Sequence, residues 1–234
     1  MLEAVSQIAA ALGADAVLTG ADIAAHARGA WGPIQTPLAL VRPRKTSEVA
    51  AIMRIAHGAG AAVVPWGGRT GLVDGTAAGG CIALSLERMN AIEEIDPQMA
   101  TMRVEAGVIV QAACEAAEAQ GLFLPIDLGA RGSATIGGVI STNAGGNHVI
   151  RYGMMRDMVL GVEAVLADGE TVDCLHPLIK NNTGYDLKQL FIGSEGTLGV
   201  VTRATLRLRP APSSQEVALI GAGSFAKVVT LLRT

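Results

Sequence analysis

Aromatic residues and excess charge are both scarce in this chain. Phe, Trp and Tyr make up 3% of its 234 residues, and the formal net charge is −3. Proteins that bind nucleic acid present a basic surface, often with stacking aromatic rings, so the composition gives no case for nucleic-acid binding. Half of the residues are hydrophobic, which excludes a disordered chain and is enough for a sizeable buried core.

Cysteine and histidine are few, and neither is spaced as in metal-binding motifs. Cys81, Cys114 and Cys174 are far apart and odd in number, and no C-x-x-C occurs, which indicates neither a disulfide framework nor a zinc ribbon. The four histidines lack H-x-H, H-x-x-x-H and H-E-x-x-H spacing. We therefore predict no metal site.

Signals for export or membrane insertion are also missing. The chain does not begin with a basic region followed by an apolar one, and no window approaches 18 uncharged apolar residues. We expect no secretory signal, no transmembrane segment and a reducing, cytoplasmic location.

Common catalytic and nucleotide-binding motifs are absent or misplaced. Neither G-x-x-x-x-G-K-[ST] nor G-x-S-x-G occurs. A G-x-G-x-x-A at 221–226 follows a predicted strand at 217–220, but no acidic residue stands about twenty positions further on, so a simple glycine turn is favoured. Cys174 and His176 flank a strand end and do not form a convincing nucleophile–base pair. His148, in a glycine-rich loop, is the one histidine that keeps a possible functional role, and we predict no catalytic residue.

Glycine is abundant, at 29 of 234 residues against an average of about 7%. It is concentrated in three loops, at 65–75, 127–147 and 193–199, each at the end of a predicted strand or helix. Three such loops in one domain predict a large ligand that is contacted mainly by backbone.

The first loop has the composition of an anion-binding turn. An apolar run at 61–64 predicts a short buried strand that ends at Pro65, which has no N–H to donate. The glycines at 67, 68 and 71 leave successive backbone N–H groups uncovered, and such groups can form a concave nest for a phosphate. Arg69 adds a positive charge. A tight glycine turn without a ligand is the alternative interpretation.

Periodicity predicts an α+β fold. Apolar residues at helical spacing indicate helices at 47–58 and 109–120 and a helical N-terminal segment. The stretch at 126–153 lacks periodicity, and within it 136–141 is interpreted as a short helical turn whose N-terminus faces a ligand. Alternating residues predict a strand pair at 92–95 and 102–104, a hairpin at 160–166 and 171–174, and a final strand at 200–208 with one apolar and one arginine-bearing face. A strand at 217–220 and a helix at 225–232 follow a proline-rich boundary at 210–214.

Several segments together resemble a known family. These are PWGGRTG at 65–71, DLGARGS at 127–133, IGG at 136–138, TNAGG at 142–146, YG at 152–153 and NTGYDLKQLFIGSEGTLG at 182–199. In order and spacing they resemble the FAD-binding domain of FAD-linked oxidases of the vanillyl-alcohol oxidase and p-cresol methylhydroxylase type. Within that family the chain is most similar to the D-2-hydroxyacid dehydrogenases, which act on D-lactate, glycolate or D-2-hydroxyglutarate.

The resemblance implies an N-terminal helical segment at 1–35 and an FAD-binding domain at 36–209, with lobes at about 36–125 and 126–209. Residues 210–234 would begin an incomplete C-terminal substrate domain. FAD would lie between the lobes, with its pyrophosphate on the N–H groups of 67–71. The residues that it assigns to the cofactor are Pro65, Gly67, Gly68, Arg69, Thr70, Gly71, Leu72, Ser133, Thr135, Gly137, Gly138, Thr142, Asn143, Gly145, Gly146, Tyr152, Glu195, Gly196, Gly199 and Val200.

The same resemblance implies the chemistry. Some family members tether FAD through a histidine of the first loop, but here that loop has Arg69 and Thr70, so non-covalent FAD is expected. The family oxidises a small 2-hydroxy acid by hydride transfer from substrate C2 to flavin N5, with the substrate and its base held largely by the C-terminal domain. That domain would be missing here or supplied by another subunit. A non-catalytic FAD- or nucleotide-binding module that needs a partner chain remains the alternative.

Overall fold

The computed structural model describes residues 2–233 apart from 24, 25, 27, 30, 31 and 34. Its helices are α1 (Leu2–Leu12), α2 (Thr46–Gly58), α3 (Val110–Glu118), α4 (Ile136–Ser141), α5 (Val149–Tyr152), α6 (Met155–Met158), α7 (Lys188–Phe191) and α8 (Phe225–Leu232), with 3₁₀ turns at Ala14–Ala16 and Gly20–Ile23. Its strands are β1 (Val17–Leu18), β2 (Arg28–Gly29), β3 (Gly32–Pro33), β4 (Ala39–Val41), β5 (Val63–Trp66), β6 (Ile82–Ser85), β7 (Ile92–Asp96), β8 (Thr101–Glu105), β9 (Leu122–Phe123), β10 (Val159–Val165), β11 (Thr171–Asp173), β12 (Val200–Arg207) and β13 (Arg209–Pro210).

The first sheet has the strand order β1-β4-β6-β5; the β4–β6 and β6–β5 pairings are parallel, and the β1–β4 pairing is antiparallel. Its strands are short apolar runs, and β4 and β6 are buried along their whole length, as is usual for parallel strands. Helix α2 buries its periodic apolar face, including Val49, Ile52 and Ala56, and α1 packs against it. The N-terminal segment joins this sheet through β1, which pairs with β4.

Pro65 does not end its strand, contrary to the prediction. β5 runs through it to Trp66, and Pro65 pairs in register with Leu84. β5 is the edge strand of the sheet, and the residues that bond to β6 are those on either side of Pro65: Ile82 donates to the carbonyl of Ala62, and Leu86 to that of Trp66. The nitrogen of Pro65, which carries no hydrogen, therefore faces away from the ladder, and no ladder hydrogen bond is lost.

The second sheet is antiparallel, in the order β11-β10-β12-β8-β7. The predicted hairpins are confirmed, with Gly169 at φ 84° in the turn between β10 and β11. β12 lies at the centre and is buried on both faces, including Thr202 and Thr205, so the predicted contrast between an apolar and an arginine-bearing face holds only in part. Helices α2 and α4 both pack against this strand.

The strand pairing does not follow the predicted lobe boundary near residue 125. β7 and β8, at 92–105, belong to the second sheet because their main-chain partner is β12 rather than any strand of the first sheet. Helix α2 is tied to the second sheet through Glu163, a buried residue of β10. Its carboxylate accepts hydrogen bonds from Thr46 at the start of α2 (2.6 Å) and from Thr202 (2.8 Å).

The segment after β13 differs from the prediction in one element. No strand forms at 217–220; Val217 and Leu219 are fully solvent-exposed, and no neighbouring strand offers them main-chain partners. Helix α8 forms as predicted, with the Ser224 hydroxyl accepting from the N–H of Lys227.

Candidate functional site

A cavity of about 740 Å³ opens between the two sheets. It is lined by the three glycine-rich segments, at 65–76, 128–145 and 195–201, together with Leu86. Seventeen of the twenty residues that were assigned to the cofactor line it. They are Pro65, Gly67, Gly68, Arg69, Thr70, Gly71, Leu72, Thr135, Gly137, Gly138, Thr142, Asn143, Gly145, Glu195, Gly196, Gly199 and Val200.

The loop after β5 presents a row of unused donors. None of the backbone N–H groups of 67–71 has a hydrogen-bond acceptor among the described residues. Arg69 has φ 54°, a left-handed conformation that is uncommon outside glycine. A left-handed residue within a turn aims successive N–H groups into one concavity, and that concavity attracts anions. The loop therefore has the backbone geometry and the free donors of an anion-binding nest.

Two glycines of this loop are required by close packing. A Cβ on Gly68 would lie 2.0 Å from the carbonyl oxygen of Ser133, and one on Gly67 would lie 2.5 Å from Oγ1 of Thr135. The first neighbour is backbone, which cannot rotate away. Gly71, by contrast, has no atom within 4 Å of its Cβ position. The loop thus lies directly against the start of α4.

The side chain of Arg69 is engaged by the protein. Its guanidinium donates to the carbonyl of His26 and lies over the indole ring of Trp66, 4.8 Å from the centroid. Burial lowers the pKa of Arg69, although an arginine remains charged at neutral pH. Trp66 is itself buried and donates its Nε1–H to the carbonyl of Thr76 (2.9 Å), which closes the loop on itself. What the loop offers to the cavity is thus mainly backbone.

The second segment enters the cavity through α4. The helical turn predicted at 136–141 is confirmed, and the hydroxyl of Thr135 caps it by accepting from the N–H of Gly138 (3.2 Å). Gly137 lets the helix approach the neighbouring chain, because a Cβ there would lie 2.7 Å from Cβ of Ala106. At the other end, Asn143 has φ 47°, and its side-chain oxygen accepts from the N–H of Arg156 (2.9 Å).

The third segment closes the opposite wall. Glu195 is left-handed at φ 53°, and its N–H donates to the carbonyl of Ser141 (2.8 Å), which ties this segment to the second. Among the residues that the structure describes, four non-glycine residues have positive φ, and three of them, Arg69, Asn143 and Glu195, line the cavity. Such conformations cost free energy and are concentrated at functional sites. Arg69 and Glu195 are the only charged residues of the lining as the structure describes it.

Three assigned residues are not in the lining. Ser133 contributes the carbonyl against which Gly68 packs, and Gly146 packs against the carbonyl of Asp127. Tyr152 forms an edge-to-face cluster with Phe123 and His148. His148, the histidine singled out from the sequence, therefore lies in an aromatic cluster outside the lining. The described residues hold no cluster of three or more potential metal ligands.

Sequence reasoning missed several apolar residues of the lining. They are Trp66, Leu86, Leu128, Val139 and Val201, and their place in the lining depends on how the two sheets meet. Of these, Trp66 and Leu128 had a signal, because they lie within the motifs at 65–71 and 127–133.

Comparison with known families shows which cofactor this fold binds. The family model described as FAD binding domain matches residues 37–175, more than half of the chain. This chain belongs to the FAD binding domain family. The FAD-binding fold and the FAD cofactor that the sequence predicted are thereby confirmed.

Two curated relatives of this FAD-binding chain share a name. D-2-hydroxyglutarate dehydrogenase, mitochondrial, of Bos taurus is 48% identical over 196 residues, which are 83% of this chain and 36% of that protein. D-2-hydroxyglutarate dehydrogenase of Xanthomonas citri pv. viticola is 47% identical over 196 residues, 83% of this chain and 41% of that protein. The chain thus spans about two fifths of the length of these relatives.

A solved structure shows the same fold. Alkyldihydroxyacetonephosphate synthase superposes with a TM-score of 0.80 at 22% identity, covering 92% of this FAD-binding chain and 41% of that one. At that identity the likeness concerns the fold alone. It confirms the mixed α+β architecture. Across the described residues, no helix combines the length and the apolar character that crossing a bilayer requires.

The size and the chemistry of the lining match those of FAD. The cofactor is long and carries two phosphates, and the cavity offers about 740 Å³ together with a row of five unpartnered N–H groups. With a single cation in the described lining, backbone donors must provide most of the attraction for the phosphates. The apolar walls, which include Leu128, Val139 and Val201, suit the flat faces of aromatic rings.

Proposed function

We propose that this chain is the FAD-binding part of a flavin-dependent dehydrogenase that oxidises a small D-2-hydroxy acid to the 2-keto acid. The observation that carries the proposal is the run of unpartnered N–H groups at 67–71, in a loop that packs against the start of α4 and lines a cavity of about 740 Å³. The names of relatives at 47–48% identity supply the substrate class.

In this proposal the chain's own residues bind and orient the cofactor. The N–H groups of 67–71 receive the pyrophosphate, and Gly67 and Gly68 allow the loop to lie against Thr135 without a clash. The left-handed residues Asn143 and Glu195 turn the chain so that their loops form the opposite wall. FAD, once bound, supplies the acceptor for the hydride that leaves substrate C2.

Attachment of FAD is proposed to be non-covalent. The lining described by the structure contains no histidine, cysteine or tyrosine that could form a tether. Acid precipitation of the flavin-loaded protein is expected to release all of the yellow colour into the supernatant. Colour that stays with the pellet would contradict this part of the proposal.

The base that removes the substrate hydroxyl proton is proposed to lie outside these 234 residues. The described lining offers no histidine or lysine. Its one carboxylate belongs to Glu195, whose side chain lies beside Gly75. A base must come within hydrogen-bonding reach of the substrate hydroxyl, and in this proposal a substrate domain that begins at 210–234 brings it there. We thus keep the division into a segment at 1–35, an FAD-binding domain at 36–209 and the start of a substrate domain as a proposal.

Titration with FAD tests the central statement. The purified chain is expected to quench the fluorescence of FAD with a stoichiometry of one and to acquire a structured visible spectrum. A folded chain that stays colourless after incubation with FAD would contradict the proposal. The larger protein is expected to reduce an artificial electron acceptor with D-2-hydroxyglutarate and not with its L enantiomer.

A second candidate is a non-catalytic FAD-binding subunit that works with a partner chain. The absence of a base from the described lining agrees with this candidate as well as it agrees with the dehydrogenase. The length of the encoding gene separates the two: an open reading frame that continues for about the length of the relatives supports the dehydrogenase, and a separate subunit gene supports the alternative.

The cellular compartment of the protein is the last part of the proposal. We propose a reducing compartment because all three cysteines are free thiols. The bovine relative is named as mitochondrial, whereas the name of the Xanthomonas relative gives no compartment, so the narrower prediction of a cytoplasmic location requires a direct measurement.

A further inference from the structure

Arg156 in α6 holds two walls of the cavity at once, although it does not line the cavity itself. Its backbone N–H donates to the side-chain oxygen of Asn143 (2.9 Å). Its guanidinium donates to the carbonyl of Ile192 (2.6 Å), to the carbonyl of Gln189 (3.3 Å) and to the side-chain oxygen of Gln189. One residue thus contacts the loop at 141–145 and the segment that leads into 193–196.

The guanidinium caps the end of a short helix. Gln189 belongs to α7, and Ile192 is the residue at which that helix ends. Carbonyl groups at a helix C-terminus lack main-chain donors and carry partial negative charge, so a cation there is favourable. Arg156 has no carboxylate partner among the described residues, and these carbonyls are its counterpart.

The two segments that Arg156 joins also contact each other directly. Gly193 donates to the carbonyl of Ile140 (3.1 Å), and Glu195 donates to that of Ser141 (2.8 Å). A Cβ on Gly193 would lie 3.5 Å from Cβ of Asn143 and 3.6 Å from Nη2 of Arg156. The guanidinium therefore lies at the junction from which both cavity-lining loops begin.

We propose that Arg156 is a positioning residue that sets the relative placement of the 141–145 and 193–196 loops before FAD arrives; the inference rests on the proposed function above. Both loops contain a left-handed non-glycine residue, Asn143 and Glu195, whose conformation must be maintained by its surroundings. Groups that are held in their binding arrangement in advance avoid an ordering cost on binding. Loss of the guanidinium is expected to impose that cost on FAD.

The test compares Arg156→Met and Arg156→Lys with a matched control, Arg54→Met. Arg54 also donates to a carbonyl, that of Gly169 (3.5 Å), also lacks an ion pair among the described residues, and does not line the cavity. We expect Arg156→Met to weaken FAD binding by about 10-fold or more, since hydrogen bonds from a charged group are removed, and Arg54→Met to change it by less than about 2-fold. Arg156→Lys is expected to lie between them.

Two further measurements separate positioning from stability. At saturating FAD, the visible circular dichroism of the flavin is expected to change in Arg156→Met and not in Arg54→Met. Millimolar guanidinium is expected to recover part of the affinity of Arg156→Met, while urea at the same concentration does not. Unchanged affinity and an unchanged flavin spectrum in Arg156→Met would overturn the inference.

The outcomes remain distinguishable from failure of the proposed function. A wild-type protein that does not bind FAD contradicts the proposed function itself, whereas a wild type and an Arg156→Met variant of equal affinity contradict only the role of Arg156. If Arg156→Met does not fold, Arg156→Lys and Gln189→Ala decide. Each is expected to weaken FAD binding by about 2- to 5-fold through loss of part of the hydrogen bonding, and wild-type affinity in both overturns the inference.

Discussion

The glycine-rich stretches at 67–71 and 221–223 resemble each other in sequence and differ completely in surroundings. In the first, a Cβ on Gly68 would lie 2.0 Å from a backbone oxygen; in the second, neither glycine has an atom within 4 Å of its Cβ position. The first follows a paired strand, whereas the second follows an exposed segment without regular structure. A glycine motif therefore indicates a binding loop only where other backbone packs against it.

Replacing Gly68 with alanine gives the sharpest test of this contrast. The added methyl group meets the carbonyl of Ser133, so we expect a loss of about 1–3 kcal/mol in unfolding free energy, as for other overpacked sites. We also expect FAD binding to be abolished, because the loop must move away from α4. Thermal unfolding and FAD titration measure the two effects, with Gly71→Ala as the control in the same loop. Equal behaviour of the two variants would break the comparison.

Replacing Thr135 with valine tests the start of α4, against which the 67–71 loop packs. It removes the hydroxyl that caps α4 through Gly138, and a lost cap of this kind costs about 0.5–2 kcal/mol. We expect a lower melting temperature and weaker FAD binding than in the wild type. Thr135→Ser, which keeps the hydroxyl, is expected to recover most of both. Failure of serine to do so would show that the methyl group, and not the cap, matters.

The pH dependence of the unfolding free energy tests the burial of Cys114, which lies behind the loop. It lies on α3, whose first N–H groups donate to the carbonyls of Ala134 and Arg131, beside the residue that Gly68 contacts. Burial raises the pKa of the Cys114 thiol from 9.0 to about 11. Because this folded-state pKa is above the unfolded value, its contribution to stability is complete below pH 9 and is lost as pH rises towards 11.

We therefore expect the free energy of unfolding to fall more steeply between pH 9 and 11 in the wild type than in Cys114→Ala. Denaturant titrations at several pH values measure the slopes, and Cys174, whose pKa is also raised, is present in both proteins and cancels in the difference. Parallel slopes would show that the thiol is not held away from water.

The smallest effect is expected in the second glycine stretch. Gly221→Ala and Gly223→Ala add a methyl group into open space, so we expect changes within about 0.5 kcal/mol in unfolding free energy and no change in FAD affinity. The same titrations apply. A clear loss of FAD binding in either variant would return this stretch to consideration as a nucleotide-binding turn.

Sequence reasoning reached the main elements because those depend on local spacing, whereas the residues assigned to the cofactor came from the family resemblance. Helix α2, the β10–β11 hairpin and the short helix α4 each follow from neighbouring residues. It failed where the outcome depends on distant partners. The strand passes through Pro65 because it lies at a sheet edge, and no strand forms at 217–220 because no partner lies beside it.

The same limit applies within the site. Tyr152 belongs to a motif of the family and is assigned to the cofactor by the resemblance, whereas in the structure its ring packs on Phe123 and His148, outside the cavity lining. Leu86 and Val201 line the cavity without any motif, since only the meeting of the two sheets places them there. Spacing along the chain predicts which residues form a loop, but not which side of the loop faces the cavity.

The central position of β12 has a consequence for synthesis of the protein on the ribosome. β8 and β10 pair with β12 and not with each other, so the second sheet lacks its middle until Val200–Arg207 has been made. At about 5–20 residues per second, the β7–β8 hairpin waits on the order of 5–20 s with one edge unpaired. During that interval its exposed main chain is open to wrong partners, which makes this hairpin a natural place for a chaperone to act while the chain grows.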